Sequence, residues 1–252
     1  AWGGEMTLQL IDVPTPAGVR AVFTTRHGGV SQGQWAGLNI GASTGDDAAA
    51  VRENRTRLST ELRLEAARVT MGNQVHSTEV RRIAAPTRPG RFTGGLRGWP
   101  DGDGLATDVT GLALVVLGAD CLPVLMWRRD GQRVAAAHAG WRGLIDGVLA
   151  NAVAALGPDA EAVAAIGPGA GPCCYEVDAA LRSRFAARYG ADTVSGAAVD
   201  LAAAATVALQ EAGVHHVIGL SECTVCNPDR FFSYRRDGQT GRQAGVIVRS
   251  PA

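Results

Sequence analysis

Three short apolar segments separated by turns constrain the fold of this chain more than any other feature. The segments are residues 112–117, 122–127 and 134–137, and Asp130-Gly131 lies between the second and the third. An Asp-Gly step between two apolar segments is typical of an antiparallel β-hairpin. The sequence therefore predicts buried strands that are not all parallel, and it excludes a purely parallel sheet.

Helical and extended segments alternate along the rest of the chain. Strands are predicted at residues 19–25, 163–166 and 245–249, and helices at residues 46–62, 144–156, 178–189 and 200–212. The helix over 144–156 carries the most regular apolar stripe and ends at Gly157-Pro158. A glycine-rich stretch, residues 88–104, has no apolar period and is predicted to be a surface loop. Together these elements indicate a mixed α/β or α+β fold.

Length and charge exclude several classes of function. A chain of 252 residues corresponds to one large domain or two small ones. Its 24 basic residues, all of them arginines, balance 24 acidic residues, so there is no overall field to attract nucleic acid or an anionic membrane. The absence of lysine from the sequence excludes Schiff-base chemistry.

The cysteine content indicates the compartment. Five cysteines are too few for a disulfide scaffold in a chain of this size, and their odd number leaves at least one unpaired. The longest apolar run, residues 111–118, is far shorter than the roughly 20 residues that span a bilayer. We therefore expect a cytoplasmic protein with no membrane partner.

Two histidines and one cysteine are candidate metal ligands. Cys121 follows one apolar segment and His138 ends the next, so both lie at strand ends where side chains can converge, and His76 lies in the polar context GNQVHSTEV. Two imidazoles and a thiolate form a common zinc set with one open position. No short-range ligand spacing joins the three residues, so spacing alone gives weak support to a metal site, and the alternative is a structural cysteine and two core histidines.

Arginines cluster beside glycine-rich turns. Arg235 and Arg242 lie among aromatic residues in FFSYRRDGQTGR, Arg26 precedes a glycine turn, and Arg142 lies in the Gly-Trp-Arg-Gly turn after the His138 strand. Arginine forks beside glycine backbone suit a phosphate, and the aromatic rings suit a base or a sugar. The alternative is that these are solvated charges at ordinary turns.

The remaining cysteines give no clear ligand pattern. Cys223 and Cys226 form a C-x-x-C, which can be half of a zinc site or a redox pair, and Cys173 and Cys174 are adjacent. No second C-x-x-C occurs in the sequence, and a four-thiolate site built on adjacent cysteines is expected to need strained geometry. We therefore predict that these four are incidental thiols.

Several segments occur together in one protein family. They are TTRHGGVSQGQWAGLNIG, TGDDAAAVRENR, NQVHS, DGLATD, ADCLPV, HAGWRG, IGPGAGPCCYEV and FFSYRRDGQTGRQAG. Over about residues 20–248 the chain resembles the YfiH family, also called the laccase-domain family. The resemblance implies one domain over residues 1–252, built as a four-layer αββα sandwich.

The same resemblance implies an activity and a metal. It implies zinc held by His76, Cys121 and His138, and phosphorolysis of adenosine, inosine, guanosine or methylthioadenosine, with adenosine deaminase activity also attributed. The expected partners are purine nucleosides and phosphate, with no nucleic acid and no membrane. The oligomeric state is left open.

Phosphorolysis assigns roles to further residues, because the site must hold an anion, bind the sugar and stabilise the departing base. The residues assigned to phosphate and substrate are Arg26, Asn39, Arg142, Arg235 and Arg242. Glu176 and Asp103 are candidate proton carriers or structural partners.

Three other functions are open at this stage. Multicopper centres need many histidines, often as His-x-His, whereas this chain has five histidines and no His-x-His, so a single copper on the same three ligands is the copper alternative. A cysteine hydrolase acting in peptidoglycan editing would use Cys121 as nucleophile and His138 as base. A binding module without catalysis would use the 88–104 stretch as a contact surface.

Overall fold

The computed structural model describes residues 7–65, 68–86, 91–93, 98–157 and 161–250. Across these residues the chain forms thirteen strands and six helices. The strands are β1 (Leu10–Val13), β2 (Val19–Thr24), β3 (Val69–Met71), β4 (Val80–Arg82), β5 (Gly104–Thr107), β6 (Ala113–Gly118), β7 (Leu122–Arg128), β8 (Val134–Ala139), β9 (Ala162–Ile166), β10 (Val194–Ser195), β11 (Ala198–Val199), β12 (His216–Gly219) and β13 (Gln243–Arg249). The helices are α1 (Ala48–Glu61), α2 (Trp141–Asp146), α3 (Val148–Ala155), α4 (Ala179–Tyr189), α5 (Leu201–Glu211) and α6 (Tyr234–Asp237).

Most of these strands belong to two sheets. The first has the order β1-β2-β13-β6-β3, in which β3 runs parallel to β6 and the other neighbours are antiparallel. The second has the order β12-β9-β7-β8-β5-β4, in which the two edge pairs are parallel and the inner pairs antiparallel. The predicted hairpin is confirmed, because β7 and β8 pair from Leu122 opposite Ala139 to Trp127 opposite Val134.

The two sheets and the helices form four layers. Successive residues of β6 face opposite sides, so Leu114 packs into the core between the sheets while Val115 packs with Leu58 of α1. On the other side, α3 and its neighbouring helices cover the second sheet, where Leu149 and Val124 share a core. The result is the αββα sandwich that the family resemblance implies.

The helices begin where capping residues allow. Asp47, Asp178 and Asp200 each accept a backbone N–H of the first helical turn, in α1, α4 and α5. The longest described helix, α1, has 14 residues. None of the helices in the described ranges combines the length and the apolar character needed to cross a bilayer.

The predicted single helix over residues 144–156 is wrong. The structure has two helices there, α2 and α3, because Gly147 adopts φ of 103° and ends the first helix in the left-handed region. The apolar stripe continues across the break, since Leu144 and Val148 pack into the same core. Apolar periodicity alone could not reveal this interruption.

The prediction of a surface loop at residues 88–104 is confirmed only in part, because residues 91–93 and 98–103 belong to no named helix or strand but several of them are buried. Residues 87–90 and 94–97 lie outside the described residues. Phe92 and Trp99 are buried in the core beneath α1, and Gly104 begins β5. High glycine content hid two aromatic core residues in this stretch.

Candidate metal centre

The three predicted ligands meet where the chain passes from one sheet to the other. Cys121 immediately precedes β7, His138 lies in β8 opposite Pro123, and His76 lies in the segment between β3 and β4. One ligand atom from each residue lies within 4.8 Å of the others, and Cys121 Sγ is 3.8 Å from His76 Nε2. The antiparallel pairing of β7 and β8 brings together two residues that are 17 positions apart in the sequence.

Asp103, just before β5, organises two of these ligands. Its buried carboxylate lies 2.8 Å from His138 Nδ1 and accepts the backbone N–H groups of Val75, His76 and Ser77 at 3.1, 3.1 and 2.6 Å. Because Nδ1 of His138 faces this carboxylate, Nε2 is the nitrogen free to bind a metal. Asp103 therefore fits the predicted role of structural partner.

The His76 segment is held in an unusual conformation. His76 has φ of 60°, in the left-handed region that side-chain-bearing residues rarely adopt. Besides the contacts to Asp103, Gln74 fixes this segment, because its side-chain amide exchanges two hydrogen bonds of 2.8 Å with the backbone of Leu117. Strained residues held by several contacts are common at functional sites.

Gly140 provides room for the cluster. A Cβ atom at this position would lie 2.9 Å from Cys121 Sγ and 2.9 Å from His76 Cδ2. The two side chains therefore pack directly over the Gly140 backbone, at the start of α2. This close approach gives a physical reason for glycine in the HAGWRG segment.

The electrostatics of the cluster favour an ionised thiol. Burial alone would raise the pKa of Cys121, but the charge of His138 and hydrogen bonds with both histidines outweigh burial and lower it to about 6. Burial alone would lower the pKa of His138, but the Cys121 thiolate and the Asp103 carboxylate raise it to about 9. Hydrogen bonds from His138 and Ser77 overcome burial at Asp103 and lower its pKa to about 2. Before a metal binds, Cys121 is a thiolate at neutral pH.

This donor set fits a zinc ion. It supplies one thiolate and two imidazole nitrogens, and a carboxylate orients one of the imidazoles. Zinc sites with three protein ligands keep a fourth position for substrate or water. A single copper ion would also accept these ligands.

A pocket of about 430 Å³ adjoins the cluster, and all three ligands contribute to its wall. The wall also contains two arginines, Arg55 and Arg242, two aromatic residues, Trp99 and Tyr234, and the loop at residues 41–44. The indole Nε1 of Trp99 is buried and has no hydrogen-bond partner among the described residues. The pocket has the size and the mixed lining of a small-molecule site.

Arg55 is a buried cation that the sequence analysis missed. It donates to the carbonyl oxygens of Ile40 at 2.9 Å and Phe92 at 2.8 Å, and it makes no ion pair within the described part of the chain. Burial lowers its pKa to about 10. A cation without a carboxylate partner at a pocket wall attracts an anion. Its position on the same helical stripe as Val51 and Leu58 was the signal available in the sequence.

Of the predicted arginines, Arg242 lines the pocket. Its Nη1 donates to the carbonyl oxygens of Thr240 at 3.0 Å and Gly241 at 2.8 Å. The predicted residue Asn39 acts on it indirectly, because Asn39 Oδ1 accepts the backbone N–H groups of both Arg242 and Gly41 at 2.9 Å. Asn39 is buried and positions the pocket wall.

Arg26 does not line the pocket, and its side chain connects neighbouring loops instead. Its guanidinium donates to the carbonyl oxygens of Ala36 at 3.1 Å and Pro228 at 2.8 Å. The same group lies 4.7 Å from the centre of the Phe232 ring. These contacts join three loops, and they occupy the guanidinium that was predicted to bind phosphate.

Arg235, Glu176 and Arg142 also lie outside the pocket wall. Arg235 stacks 4.6 Å from the Tyr175 ring centre and donates to the backbone oxygen of Glu176 at 2.7 Å. The Glu176 residue is exposed, and Arg142 is exposed on α2 with its guanidinium 5.2 Å from the Trp141 ring centre. The structure does not bring these three to the metal cluster.

Asp120 is a second residue that sequence reasoning missed. It precedes Cys121 with φ of 99°, and its buried carboxylate accepts Thr224 Oγ1 at 2.7 Å and the Arg235 backbone N–H at 2.6 Å. Its backbone oxygen accepts the N–H of Ala170 at 2.8 Å. These contacts tie the Cys121 turn to two distant loops, and only the adjacency to Cys121 could have indicated them.

The structure also gathers the four cysteines that the sequence analysis interpreted as incidental thiols. The sulfur atoms of Cys173, Cys174, Cys223 and Cys226 all lie within 4.8 Å of one another. None of the four has a positive φ. The sulfur atoms therefore come together with no left-handed backbone conformation at these four cysteines.

Comparisons with known proteins agree with this architecture. A family model described as multi-copper polyphenol oxidoreductase laccase matches residues 20–250. The crystal structure of the Neisseria meningitidis protein NMB0706 superposes with a TM-score of 0.84 at 40% sequence identity, covering 97% of this chain and 100% of that chain.

Two relatives carry an enzyme name. A Pseudomonas aeruginosa protein named purine nucleoside phosphorylase is 40% identical over 246 residues, which cover 94% of this chain and 96% of that protein. Escherichia coli YfiH, also named a purine nucleoside phosphorylase, is 38% identical over 244 residues, which cover 93% and 95%. The names of these relatives support the conclusion that this chain is an enzyme. The chain belongs to the YfiH family.

Proposed function

We propose that this protein is a zinc-dependent purine nucleoside phosphorylase, acting on adenosine, inosine, guanosine or methylthioadenosine. The observation that carries the proposal is that His76, Cys121 and His138 together line one pocket of about 430 Å³. The names of the relatives agree with it.

The phosphate is held at the arginine side of the pocket. Arg55 is a buried cation without a described ion pair, and Arg242 is half-buried at the same wall. Two guanidinium groups provide planar donors that match phosphate oxygens and neutralise part of the phosphate charge. Ser43 and Thr44 add hydroxyl groups to the adjoining wall.

The purine is bound by the aromatic side of the pocket. Tyr234 is 61% exposed although it lines the pocket, so a face of its ring is available for a planar base. Trp99 adds a second aromatic surface and an indole N–H that needs an acceptor. A purine provides both a flat apolar face and ring-nitrogen acceptors.

The chemistry consists of replacing the purine by phosphate at C1′ of the ribose. An oxygen of hydrogen phosphate forms the new bond to C1′ as the C1′–N9 bond breaks. The purine leaves with that bonding pair and takes up one proton, which balances the proton that the hydrogen phosphate loses on becoming the ester. Arg55 and Arg242 hold the attacking anion against the sugar, so the reaction becomes unimolecular within the pocket. When bound, zinc supplies Lewis-acid polarisation of substrate oxygens.

Asp103 serves as a positioning residue in this scheme. Its pKa of about 2 keeps it ionised at neutral pH, so it has no proton to donate. Its hydrogen bond to Nδ1 keeps Nε2 of His138 directed to the metal position. Glu176, the other candidate proton carrier, is exposed and lies outside the pocket wall.

Product identification tests this function. Adenosine and inosine are incubated with the zinc-loaded protein, with and without phosphate, and the products are separated by chromatography. We expect free base and ribose 1-phosphate only when phosphate is present, and neither product with Cys121→Ala. No turnover of any purine nucleoside by the zinc-loaded protein would refute the proposal.

The same assay registers adenosine deaminase activity, which the family resemblance also implies. Deamination converts adenosine to inosine by reaction with water, so it does not depend on phosphate. Inosine formed from adenosine in the absence of phosphate would identify this activity. Inosine as the sole product would make deamination the principal activity.

A cysteine hydrolase is the second candidate, because one observation favours it. The Cys121 thiolate, His138 and Asp103 form a series of nucleophile, base and carboxylate, with 2.8 Å between His138 Nδ1 and the carboxylate. This function predicts that alkylation destroys activity and that chelators have no effect. Zinc-dependent phosphorolysis predicts the opposite responses: chelators abolish activity, and alkylating reagents have little effect until the metal is removed, since a zinc-bound thiolate resists alkylation.

Polyphenol oxidation by several coppers receives no support from the ligands. Of the five histidines, His27, His215 and His216 lie outside both ligand clusters found among the described residues. A multinuclear copper centre needs more imidazoles than the two that remain. The copper alternative is therefore restricted to one ion on the three ligands.

We further propose a reducing compartment, the cytoplasm, as the site of action. All five cysteines are unpaired, and the Cys121 thiolate must stay reduced to bind a metal. Nucleosides and phosphate are the partners in this proposal.

A further inference from the structure

The second cysteine cluster lies outside the pocket and is built from two loops. Cys173 and Cys174 belong to the loop between β9 and α4, and Cys223 and Cys226 belong to the loop between β12 and α6. Cys226 Sγ lies 3.4 Å from Cys173 Sγ and 3.3 Å from Cys174 Sγ. All six sulfur pairs fall within 4.8 Å, although the two halves are about 50 residues apart.

These separations match the edges of a metal tetrahedron. A disulfide requires about 2.05 Å between sulfurs, far less than observed here. Four thiolates bound to zinc at about 2.3 Å are about 3.8 Å apart from one another. Two of the sulfur separations are 3.3 and 3.4 Å, and none of the six exceeds 4.8 Å, so they lie on either side of that value or close to it.

The backbone holds the two loops together in a manner suited to ligation. Gly169 pairs with Cys223 as a parallel bridge, and the N–H of Gly171 donates to Cys223 Sγ at 3.3 Å. An N–H donated to sulfur stabilises the thiolate form. A Cβ atom at Gly171 would lie 3.2 Å from Cys223 Cβ and 3.4 Å from Cys173 Sγ, so glycine permits this close approach.

An arginine fixes the backbone that connects two of the cysteines. Arg236 Nη1 donates to the backbone oxygens of Thr224 at 2.7 Å and Val225 at 3.2 Å, the two residues between Cys223 and Cys226. Asp237 pairs with the same guanidinium, at 2.6 Å between Arg236 Nη2 and Asp237 Oδ2. Arg236 therefore contributes by holding the shape of the turn between Cys223 and Cys226.

We propose that Cys173, Cys174, Cys223 and Cys226 bind a second metal ion, a structural zinc in a closed four-thiolate site. The inference is independent of the proposed enzyme activity, since it rests on a different set of residues. Thiolate ligands select soft or borderline ions, and four of them leave no open position for substrate. Binding replaces the thiol protons by the metal and involves no oxidation.

The second site would stabilise the turn that carries Cys121. Thr224, between the paired cysteines, donates its hydroxyl to the Asp120 carboxylate at 2.7 Å, and Ala170 of the other loop donates its N–H to the Asp120 backbone oxygen at 2.8 Å. A metal that joins these two loops therefore fixes two of the three hydrogen-bond partners of Asp120, the third being the backbone N–H of Arg235. The expected role is structural.

Metal analysis of the full chain, purified under anaerobic reducing conditions, tests the proposal. We expect two equivalents of zinc in the unaltered protein and in His215→Ala, a control that removes an exposed histidine outside both clusters. We expect one equivalent in Cys226→Ser and one in Cys121→Ala. One equivalent in the unaltered protein and none in Cys121→Ala would overturn the proposal.

Cobalt spectroscopy provides a readout that does not depend on folding of the Cys226 variant. Cys121→Ala keeps all four cysteines of the second cluster, and cobalt(II) bound there should show the strong sulfur-to-cobalt charge-transfer and visible bands of a tetrahedral thiolate site. Absence of these bands, or thiol titration showing disulfides among the four cysteines in freshly purified protein, would contradict a metal site.

Discussion

The two ligand clusters of this protein are built in opposite ways. The first joins Cys121 and His138, at one end of the paired strands β7 and β8, with His76 from the segment between β3 and β4, around the buried carboxylate of Asp103. The second joins four cysteines on two loops, and Cys173 and Cys226 are exposed. Three ligands beside a pocket leave a position for substrate, whereas four thiolates close the coordination sphere. The comparison separates a site that can act on a substrate from one that can only hold the fold.

Removing one ligand from each cluster gives the largest expected contrast. Cys121→Ala should lose phosphate-dependent purine release to below detection and one equivalent of zinc, with a small change in melting temperature. Cys226→Ser should lose the other equivalent and lower the melting temperature by more than Cys121→Ala does. Metal analysis, product assay and thermal unfolding of both variants measure this contrast. Equal loss of activity and stability in the two variants would remove the distinction between the clusters.

Alkylation of the metal-free protein should distinguish the thiols by pH. The histidines lower the pKa of Cys121 to about 6, so its thiolate is present above that pH and its alkylation should reach half of its maximum there. Hydrogen bonding with Cys226 raises the pKa of Cys173 to about 11, so this thiol should react slowly at pH 7. Peptide mass spectrometry after timed iodoacetamide treatment gives both rates. A half-maximum near pH 9 for Cys121 would contradict the thiolate assignment.

Asp103→Asn tests the support of the first cluster. Asp103 Oδ2 accepts three hydrogen bonds, from the N–H groups of Val75 and Ser77 and from the Ser77 hydroxyl, while Oδ1 faces His138 and His76 N–H. Asparagine keeps only one acceptor oxygen, so its NH₂ group must face one of these two sets of donors and cannot accept their hydrogen bonds. Zinc affinity of the first site should fall about 10- to 100-fold, as measured by competition with a chelator.

Asp101→Asn is the matched control for this change. Asp101 is exposed two residues away, and its carboxylate accepts the Asn73 amide at 2.7 Å. Zinc affinity should stay within a factor of about two in this variant, and the second cluster should keep its metal in both. An Asp103→Asn protein with unaltered zinc affinity would show that the carboxylate does not position His138.

Arg242→Ala should have the smallest effect of the four changes. Loss of one charge-assisted contact costs about 1.5 kcal/mol, so the KM for phosphate should rise about tenfold, while the KM for nucleoside changes little. Arg184→Ala, an exposed arginine on α4, is the control and should leave both constants unchanged. Initial rates at varied phosphate and fixed inosine measure the shift. A rise confined to the KM for nucleoside would place Arg242 at the nucleoside instead of the phosphate.

The sequence predicted those parts of the fold that rest on local pattern. Apolar runs located β6, β7 and β8, and aspartate caps located α4 and α5, because each signal lies within a few residues of the element it marks. The break at Gly147 was missed, since the apolar stripe continues through it. The short strands β3, β4 and β5 were missed because their partners lie elsewhere in the chain.

The candidate site was predictable only in part, for the same reason. His76, Cys121 and His138 carry rare, chemically specific side chains, so residue type alone singled them out. Arg55 appeared as one charge among many on a helix, and its burial is a property of the packed structure. The four remaining cysteines appeared unrelated, because strand pairing brings Gly169 beside Cys223 and no sequence spacing encodes that contact.

Zinc titration of metal-free protein is the most direct test of the central claim, that the first cluster holds a metal needed for phosphorolysis. The chain is stripped of metal, inosine and phosphate are supplied, and hypoxanthine release is followed as zinc is added. We predict no release without zinc, recovery in the unaltered protein, and no recovery in His138→Ala. Full hypoxanthine release by the metal-free protein, or equal recovery in His138→Ala, would contradict the account.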